Sequence, residues 1–459
     1  TAVLFLVQRA FSTGITIYAP SIILSQLLGW DLNATVIFIG GIVTLYILSG
    51  GTKAVAVTHK QQMFVIYAGM FTAFGCLVYY LSEYISFNES LYVAGALGKM
   101  NIISSGSESG TFNWSDRYNL ISGLIGGLFL QLSYFGTDQS QVGRYLGGES
   151  VKESRLGLMF NGLVKVPVQF FILLTGLLVF VFYQFNQPPV YFNQVAYEKT
   201  QQSEYAGELK SLESQYNIAT TQQIALNRKL AEQEITGDAV QIDLLKKSQV
   251  ETDKLRKEIN AVVVKANPGI DDDHDYIFMH FVMQYLPVGL IGLLFAVIFS
   301  ASMSSTSSAL NGLATTFSVD IYKRMIHKNA SEKQHLQASK LLTVMFGALA
   351  IVFALICSMF DNLIEAVNIL GSLFYGTILG IFLTAFLLKR VKGNAVFIAA
   401  IISEMVILYL DFSIRYDWNT PKLEIGYLWY NVIGCLLVMI IAYFISLFSK
   451  KSTRFPCLE

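Results

Sequence analysis

Ser300-Ala301-Ser302-Met303-Ser304-Ser305-Thr306-Ser307-Ser308 places six serines and a threonine in nine consecutive residues. It continues directly from Val288-Gly289-Leu290-Ile291-Gly292-Leu293-Leu294-Phe295-Ala296-Val297-Ile298-Phe299, a run that reads as membrane. Hydroxyls in hydrocarbon are tolerated chiefly where they face protein, water or a ligand. On a helix, Ala301, Ser304 and Ser305 fall one turn apart, so a backbone carbonyl and two hydroxyl oxygens share a face. Hard cations are held by oxygen ligands. A small monovalent cation such as Na⁺ suits neutral oxygens, because no carboxylate is needed to balance it. Close helix packing is the competing reading, since small and hydroxylated residues let membrane helices approach. The density of hydroxyls in an apolar setting favours the ion.

Hydrophobic residues make up 53% of the chain and charged residues only 14%, which points to an all-α integral membrane protein. Apolar runs long enough to cross a bilayer recur about ten times. They lie at roughly 2–29, 33–50, 62–86, 117–136, 157–186, 277–305, 336–358, 362–388, 394–411 and 425–448. Charge is segregated by side. Loops after alternate spans carry Lys53 and Lys60; Arg144, Lys152 and Arg155; Lys323, Arg324 and Lys328; Lys389, Arg390 and Lys392; and Lys450, Lys451 and Arg454. The positive-inside rule makes these loops cytoplasmic and puts both ends of the chain inside the cell. The balance of charge therefore says little about partners, and no nucleic acid is expected. Cys76, Cys357 and Cys435 stand singly in apolar spans and Cys457 in the tail, without metal spacing. The chain opens on Thr1, almost directly inside a span, so a preceding part is expected.

Four regions follow: transmembrane helices over 1–190, an extracytoplasmic insertion over 191–275, transmembrane helices over 276–449, and a cytoplasmic tail over 450–459. In the insertion, Leu209, Leu212, Tyr216, Leu226 and Leu230 trace one apolar stripe. Ile242, Leu244, Leu245, Leu255 and Ile259 trace another. Ile235-Thr236-Gly237-Asp238 reads as the turn between them and Pro268-Gly269 as a terminator, giving an antiparallel helical hairpin. A docking role for an extracytoplasmic protein partner stands beside a plain solvated insertion packed on itself. The run Asp271-Asp272-Asp273-His274-Asp275 has the charge to bind Ca²⁺ but lacks ligand spacing with a glycine turn.

Polar groups interrupt two other spans. The run 117–136 contains Gly123, Gly126, Gly127 and Gly136 and ends Tyr134-Phe135-Gly136-Thr137-Asp138-Gln139, the pattern of a discontinuous transporter helix. Freed carbonyls with Gln131, Tyr134 or Thr137 could meet a polar solute there. Asp138 reads as closing the helix at the cytoplasmic interface, paired with Arg144. Lys165 lies deep in the next span, before Pro167, where it must snorkel, pair with a carboxylate or face a water-filled path.

The chain resembles the sodium:solute symporter family, nearest its iodide, multivitamin and monocarboxylate branch. Tyr18-Ala19-Pro20 with Gly50-Gly51-Thr52-Lys53-Ala54-Val55, the segment Gly136-Thr137-Asp138-Gln139-Ser140-Gln141-Val142-Gly143-Arg144, and Leu286-Pro287-Val288-Gly289 through Ser304-Ser305, Leu310-Asn311 and Asp320-Ile321-Tyr322-Lys323 carry the likeness. It covers nearly all the chain except the hairpin. The resemblance implies a LeuT-like inverted-repeat fold, here beginning at the third core helix and lacking the first two. It implies Na⁺ at Ala301, Ser304 and Ser305, and solute contacts at Gln131, Tyr134, Lys165 and Asn368. The family often has Thr-Asp early in the fifth core helix; here the pair is Thr58-His59, which puts an Asp-dependent second sodium site in doubt. Asn368 replaces a longer glutamine, which weakens the case for a sugar.

The expected protein is a sodium-coupled symporter in a bacterial or plasma membrane, importing a small polar organic solute. The alternative is a transporter-like sensor acting through the hairpin. The spans hold no paired carboxylates, metal-spaced histidines or nucleophile constellation, so an enzyme is not expected.

Overall fold

Apolar helices join through short loops wherever a cap or a proline stops them. The computed structural model describes residues 1–48, 52–101, 104, 106, 113–116, 118–146, 150–232, 239–267, 272–357, 363–415 and 425–448. The Gly50-Gly51 motif, the Ile235–Asp238 turn, Pro268-Gly269, Asp271 and the tail with Lys450, Lys451, Arg454 and Cys457 lie outside these residues. So do the side chains of Lys53, Thr58, His59, Lys60 and Arg144.

The described residues form α1 (Ala2–Leu28), α2 (Leu32–Leu48), α3 (Thr52–Leu81), α4 (Phe87–Ala96), α5 (Gly127–Thr137) and α6 (Gln139–Leu146). Then come α7 (Val151–Phe185), α8 (Gln194–Gln201), α9 (Ala206–Glu232), α10 (Ala239–Ala266), α11 (Ile277–Tyr285) and α12 (Val288–Thr316). The chain continues through α13 (Glu332–Ile356), α14 (Leu363–Leu387), α15 (Gly393–Arg415) and α16 (Leu428–Phe448). Eight helices among the described residues are long and apolar enough to cross a bilayer: α1, α3, α7, α12 and α13 to α16. The α2 helix is apolar but shorter, and α5 is preceded by a π-helical turn over Ser122–Gly126.

Local chemistry sets the boundaries. Gly29 takes the left-handed conformation (φ 65°) that ends α1, and the Asp31 carboxylate then accepts the Asn33 and Ala34 N–H groups to open α2. The span read over 277–305 is in fact two helices. Leu286 precedes a proline and is held extended (φ −90°, ψ 155°), so α11 stops and α12 starts afresh at Pro287. The glycines of 117–136 do not unwind their helix either. Gly126 lies against Leu428 of α16, where an added Cβ would sit 2.8 Å from the Leu428 carbonyl oxygen. The break comes at Asp138, whose extended backbone separates α5 from α6.

Around α1 pack α2, α12, α13 and α14, with Ile17, Val36, Leu310, Leu313 and Ala350 fully buried between them. A second layer joins α14, α15 and α16. Its α14–α16 seam is so close that a Cβ on Gly376 would meet the Tyr430 and Asn431 carbonyl oxygens at 2.7 Å.

The insertion folds as the antiparallel pair α9 and α10. Leu209, Tyr216, Leu230, Leu245 and Ile259 are buried, whereas Leu244 turns outward. The pair is fastened to the membrane part. Arg228 donates to the Phe185 carbonyl at 2.7 Å and stacks on Tyr84, Asn227 donates to the Gln184 carbonyl, and Arg256 pairs with Asp273 at 2.8 Å.

The seam generates a test. Gly376→Val should lower the thermal midpoint of the purified protein by several degrees, because overpacking typically costs about 1–3 kcal/mol. Gly41→Ala, with nothing within 4 Å of its added Cβ, should leave the midpoint unchanged.

Candidate functional site

The hydroxyl-rich end of α12 divides its groups between two tasks. Ser302 donates to the Thr16 carbonyl of α1, Thr306 and Thr16 share a hydrogen bond of 2.8 Å, and Gln62 of α3 donates to Ser300. These residues bind the helices together. Ser304 is buried and Ala301 half-buried. Ser305, one turn from Ala301, opens on a cavity of about 350 Å³ and makes no hydrogen bond to a described residue.

That cavity lies between α1, α5, α7, α12 and α14. Gln131 and Tyr134 of α5, Lys165 of α7 and Asn368 of α14 all line it, although they are far apart in sequence. Gln131 and Asn368 have no hydrogen-bond partner among the described residues, so their amides remain available to a solute. Tyr134 stands with its ring 6.2 Å from that of Tyr375, which also lines the cavity. Lys165 has no carboxylate partner among the described residues. Its amine lies 6.0 Å from the centre of the Phe135 ring and faces both this cavity and a neighbouring one of about 500 Å³. Of the options open to this lysine, the structure takes the cavity-facing one.

The sequence alone does not single out Arg9, and the Arg144 side chain expected beside Asp138 lies outside the described residues. The Asp138 carboxylate is buried, and its cation is Arg9 of α1, Nη1 to Oδ2 3.7 Å. Tyr375 donates to the same oxygen at 2.9 Å, while the Ser140 amide and hydroxyl donate to the other. Gln8 in turn donates to the Tyr375 hydroxyl. The helix-closing role expected of Asp138 is present, but the cytoplasmic surface position is not: its partners come from α1 and α14. A lone arginine inside an apolar span was the signal that could have found Arg9, because charge within a membrane helix marks a functional position. Arg9 lines the cavity with Lys165, and the lining contains no Asp or Glu.

The acidic run beside the hairpin is committed to structure. Asp273 accepts the Phe192 N–H and the Arg256 guanidinium. Asp272 bonds the His274 ring at 2.6 Å, which holds that imidazole above its usual pKa, and burial pushes Asp275 up to about 6. Among the described residues no group of His, Cys, Asp and Glu gathers for a metal.

A profile of the sodium:solute symporter family matches residues 1–207 and 259–403. The chain belongs to the sodium:solute symporter family. The unmatched interval 208–258 is the body of the hairpin. The sodium/sialic acid symporter NanT of Aliivibrio fischeri is 33% identical over 165 residues, covering 36% of this chain and 31% of NanT. Sodium-coupled monocarboxylate transporter 1 of Mus musculus is 26% identical over 387 residues, covering 83% and 48% respectively. The chain thus spans about half the length of that relative, and less of NanT. Among solved structures, a substrate-bound, outward-open Na⁺-coupled sialic acid symporter superposes with a TM-score of 0.65 at 20% identity, over 98% of this chain and 74% of that one. The fold is therefore the LeuT-like transporter fold, and the relatives are transporters, not enzymes.

Removing one member of a buried ion pair strands the other. Asp138→Ala should cost on the order of 3 kcal/mol of stability, read as a lowered unfolding midpoint in detergent. Adding Arg9→Met should recover part of the loss.

Proposed function

We propose that this protein is a sodium-coupled symporter that imports a small polar organic solute by alternating access. The observation that carries the reading is the convergence of Ser305, Gln131, Tyr134, Lys165 and Asn368 on one cavity. Na⁺ is held by the Ala301 carbonyl and the Ser304 and Ser305 hydroxyls, at the point where α12 is already bonded to α1 through Thr16. Its binding favours the arrangement of α1 and α12 that forms the cavity. A ligand shifts such an equilibrium only by its difference in affinity between two states, and that difference is the coupling. The amides of Gln131 and Asn368 hydrogen-bond the solute and Tyr134 covers it.

Arg9 is balanced by Asp138, whereas Lys165 has no carboxylate partner among the described residues, so the cavity favours a solute carrying negative charge. The names of the monocarboxylate and sialic acid relatives fit that preference. The protein sits in a cell membrane with the basic loops, and so both ends of this chain, on the cytoplasmic side. Most of the hairpin's apolar stripes pack on each other, and Arg228 and Arg256 fasten it to neighbouring segments, which favours a fixed extracytoplasmic brace over a partner-docking sensor.

In proteoliposomes the full-length protein should accumulate a carboxylate-bearing solute only when Na⁺ drives it, and K⁺ in place of Na⁺ should abolish uptake. Ser304→Ala and Ser305→Ala should each raise the Na⁺ concentration for half-maximal uptake roughly tenfold, the effect of losing about 1.4 kcal/mol of ion binding. An unchanged Na⁺ dependence in both variants would remove these residues from the site.

A further inference from the structure

Glu404 lies at mid-length in α15, 8% exposed, and among the described residues neither carboxyl oxygen has a hydrogen-bond partner. The helices packed on α15 are α14 and α16, and their sequences contain no Lys, Arg or His. The titratable groups of α14 are Glu365 and Tyr375, the latter bonded to Asp138. Those of α16 are Tyr430, Cys435 and Tyr443, and α15 itself adds Tyr409, Asp411 and, at its end, Arg415. Asp411 lies seven residues, about 10 Å, along the helix, too far to be a partner. The three helices bury apolar side chains between them, Ile378 and Ile407 in one cluster, Ala399 and Val438 in another.

One polar group faces the carboxyl. Thr377 of α14 is fully buried and stands beside Glu404 without closing a hydrogen bond, so its hydroxyl oxygen is also unpartnered. An ionised carboxylate in such a place carries a large desolvation cost. A metal cation would relieve it, but hard cations require several oxygen ligands, and one carboxyl and one hydroxyl do not make a shell. A proton requires neither space nor a shell.

We propose that Glu404, with Thr377, is a proton-binding site between α14 and α15 whose occupancy is coupled to the position of α14. Two residues before Thr377, Tyr375 lines the cavity, as does Asn368 on the same helix. The proton neutralises Glu404 while α14 lies against α15. Separating the two helices admits water, allows the proton to leave and leaves a carboxylate that opposes their return. Proton binding therefore stabilises the arrangement in which α14 completes the cavity wall.

The experiment is infrared difference spectroscopy of the full-length protein in an ester-free detergent, wild type minus Glu404→Gln, at pH 7. A deuterium-sensitive band of a protonated carboxyl, retained from zero to saturating NaCl, is expected. Carboxylate bands alone would overturn the proposal, and a protonated band erased by NaCl would replace it with a Na⁺ site. Glu404→Gln mimics the neutral acid, so Na⁺-driven uptake should lose the decline with rising pH that the wild type shows. Parallel pH profiles for the two proteins would overturn the coupling. Should the variant not fold, an infrared pH titration of the wild type with Asp411→Asn as reference decides the same point.

Discussion

The contact on which the rest of the cavity depends is the buried knot of Arg9, Asp138 and Tyr375. It joins α1, the α5–α6 break and α14, three of the cavity walls, through one carboxylate. A carboxylate with three hydrogen-bond donors, two from Ser140 and one from Tyr375, and a guanidinium 3.7 Å away is over-determined in position. Because Asp138 is anchored, the end of α5 that carries Gln131 and Tyr134 is anchored too. Ser133 adds a further tie by donating to the Tyr375 carbonyl. Loss of this knot would free α14 from α5, and the cavity-lining groups would no longer share one space.

The hydroxyl run of α12 shows why packing and ion binding need not be alternatives. A helix presents successive residues to different neighbours. Ser300, Ser302 and Thr306 face α3 and α1 and are consumed there, while Ser305 is turned toward the cavity. The consumed hydroxyls fix the rotation of α12, and that rotation aims the Ala301–Ser304–Ser305 face. A site assembled from weak neutral ligands depends on such fixing, since no single ligand dominates the geometry.

The insertion is attached, not tethered. Its contacts reach the end of α7 at Gln184 and Phe185, the α1–α2 turn through Lys199 and Asp31, and the strap before α11 through Arg256 and Asp273. That strap leads by way of the Leu286-Pro287 break into α12. The hairpin thus bears on the same helix that carries the hydroxyl run, but from its Pro287 end.

The membrane-spanning character, the two apolar stripes of the insertion and the hydroxyl face of α12 were legible as local pattern, whereas Asn368 was reached only through the family resemblance. Apolar run length reports burial in lipid, a helical period reports one face, and hydroxyls in hydrocarbon report a polar task. What stayed hidden was whatever depends on which helix lies beside which. Arg9 and Asp138 are 129 positions apart in the numbering and Asp138 and Tyr375 are 237 apart; no periodicity links them, and reading along the chain offers Asp138 only its near neighbours. The glycines of the α5 region were read as breaks, whereas Gly126 admits the Leu428 backbone. Glu404, like Arg9, carried the signal of a lone charge in an apolar span, but only the packing of α14 and α16 shows that no cation of those helices meets it. Sequence determined which groups must find partners away from lipid; only tertiary packing decided which partners they found, because a buried charge is settled by neighbours in space and not along the chain.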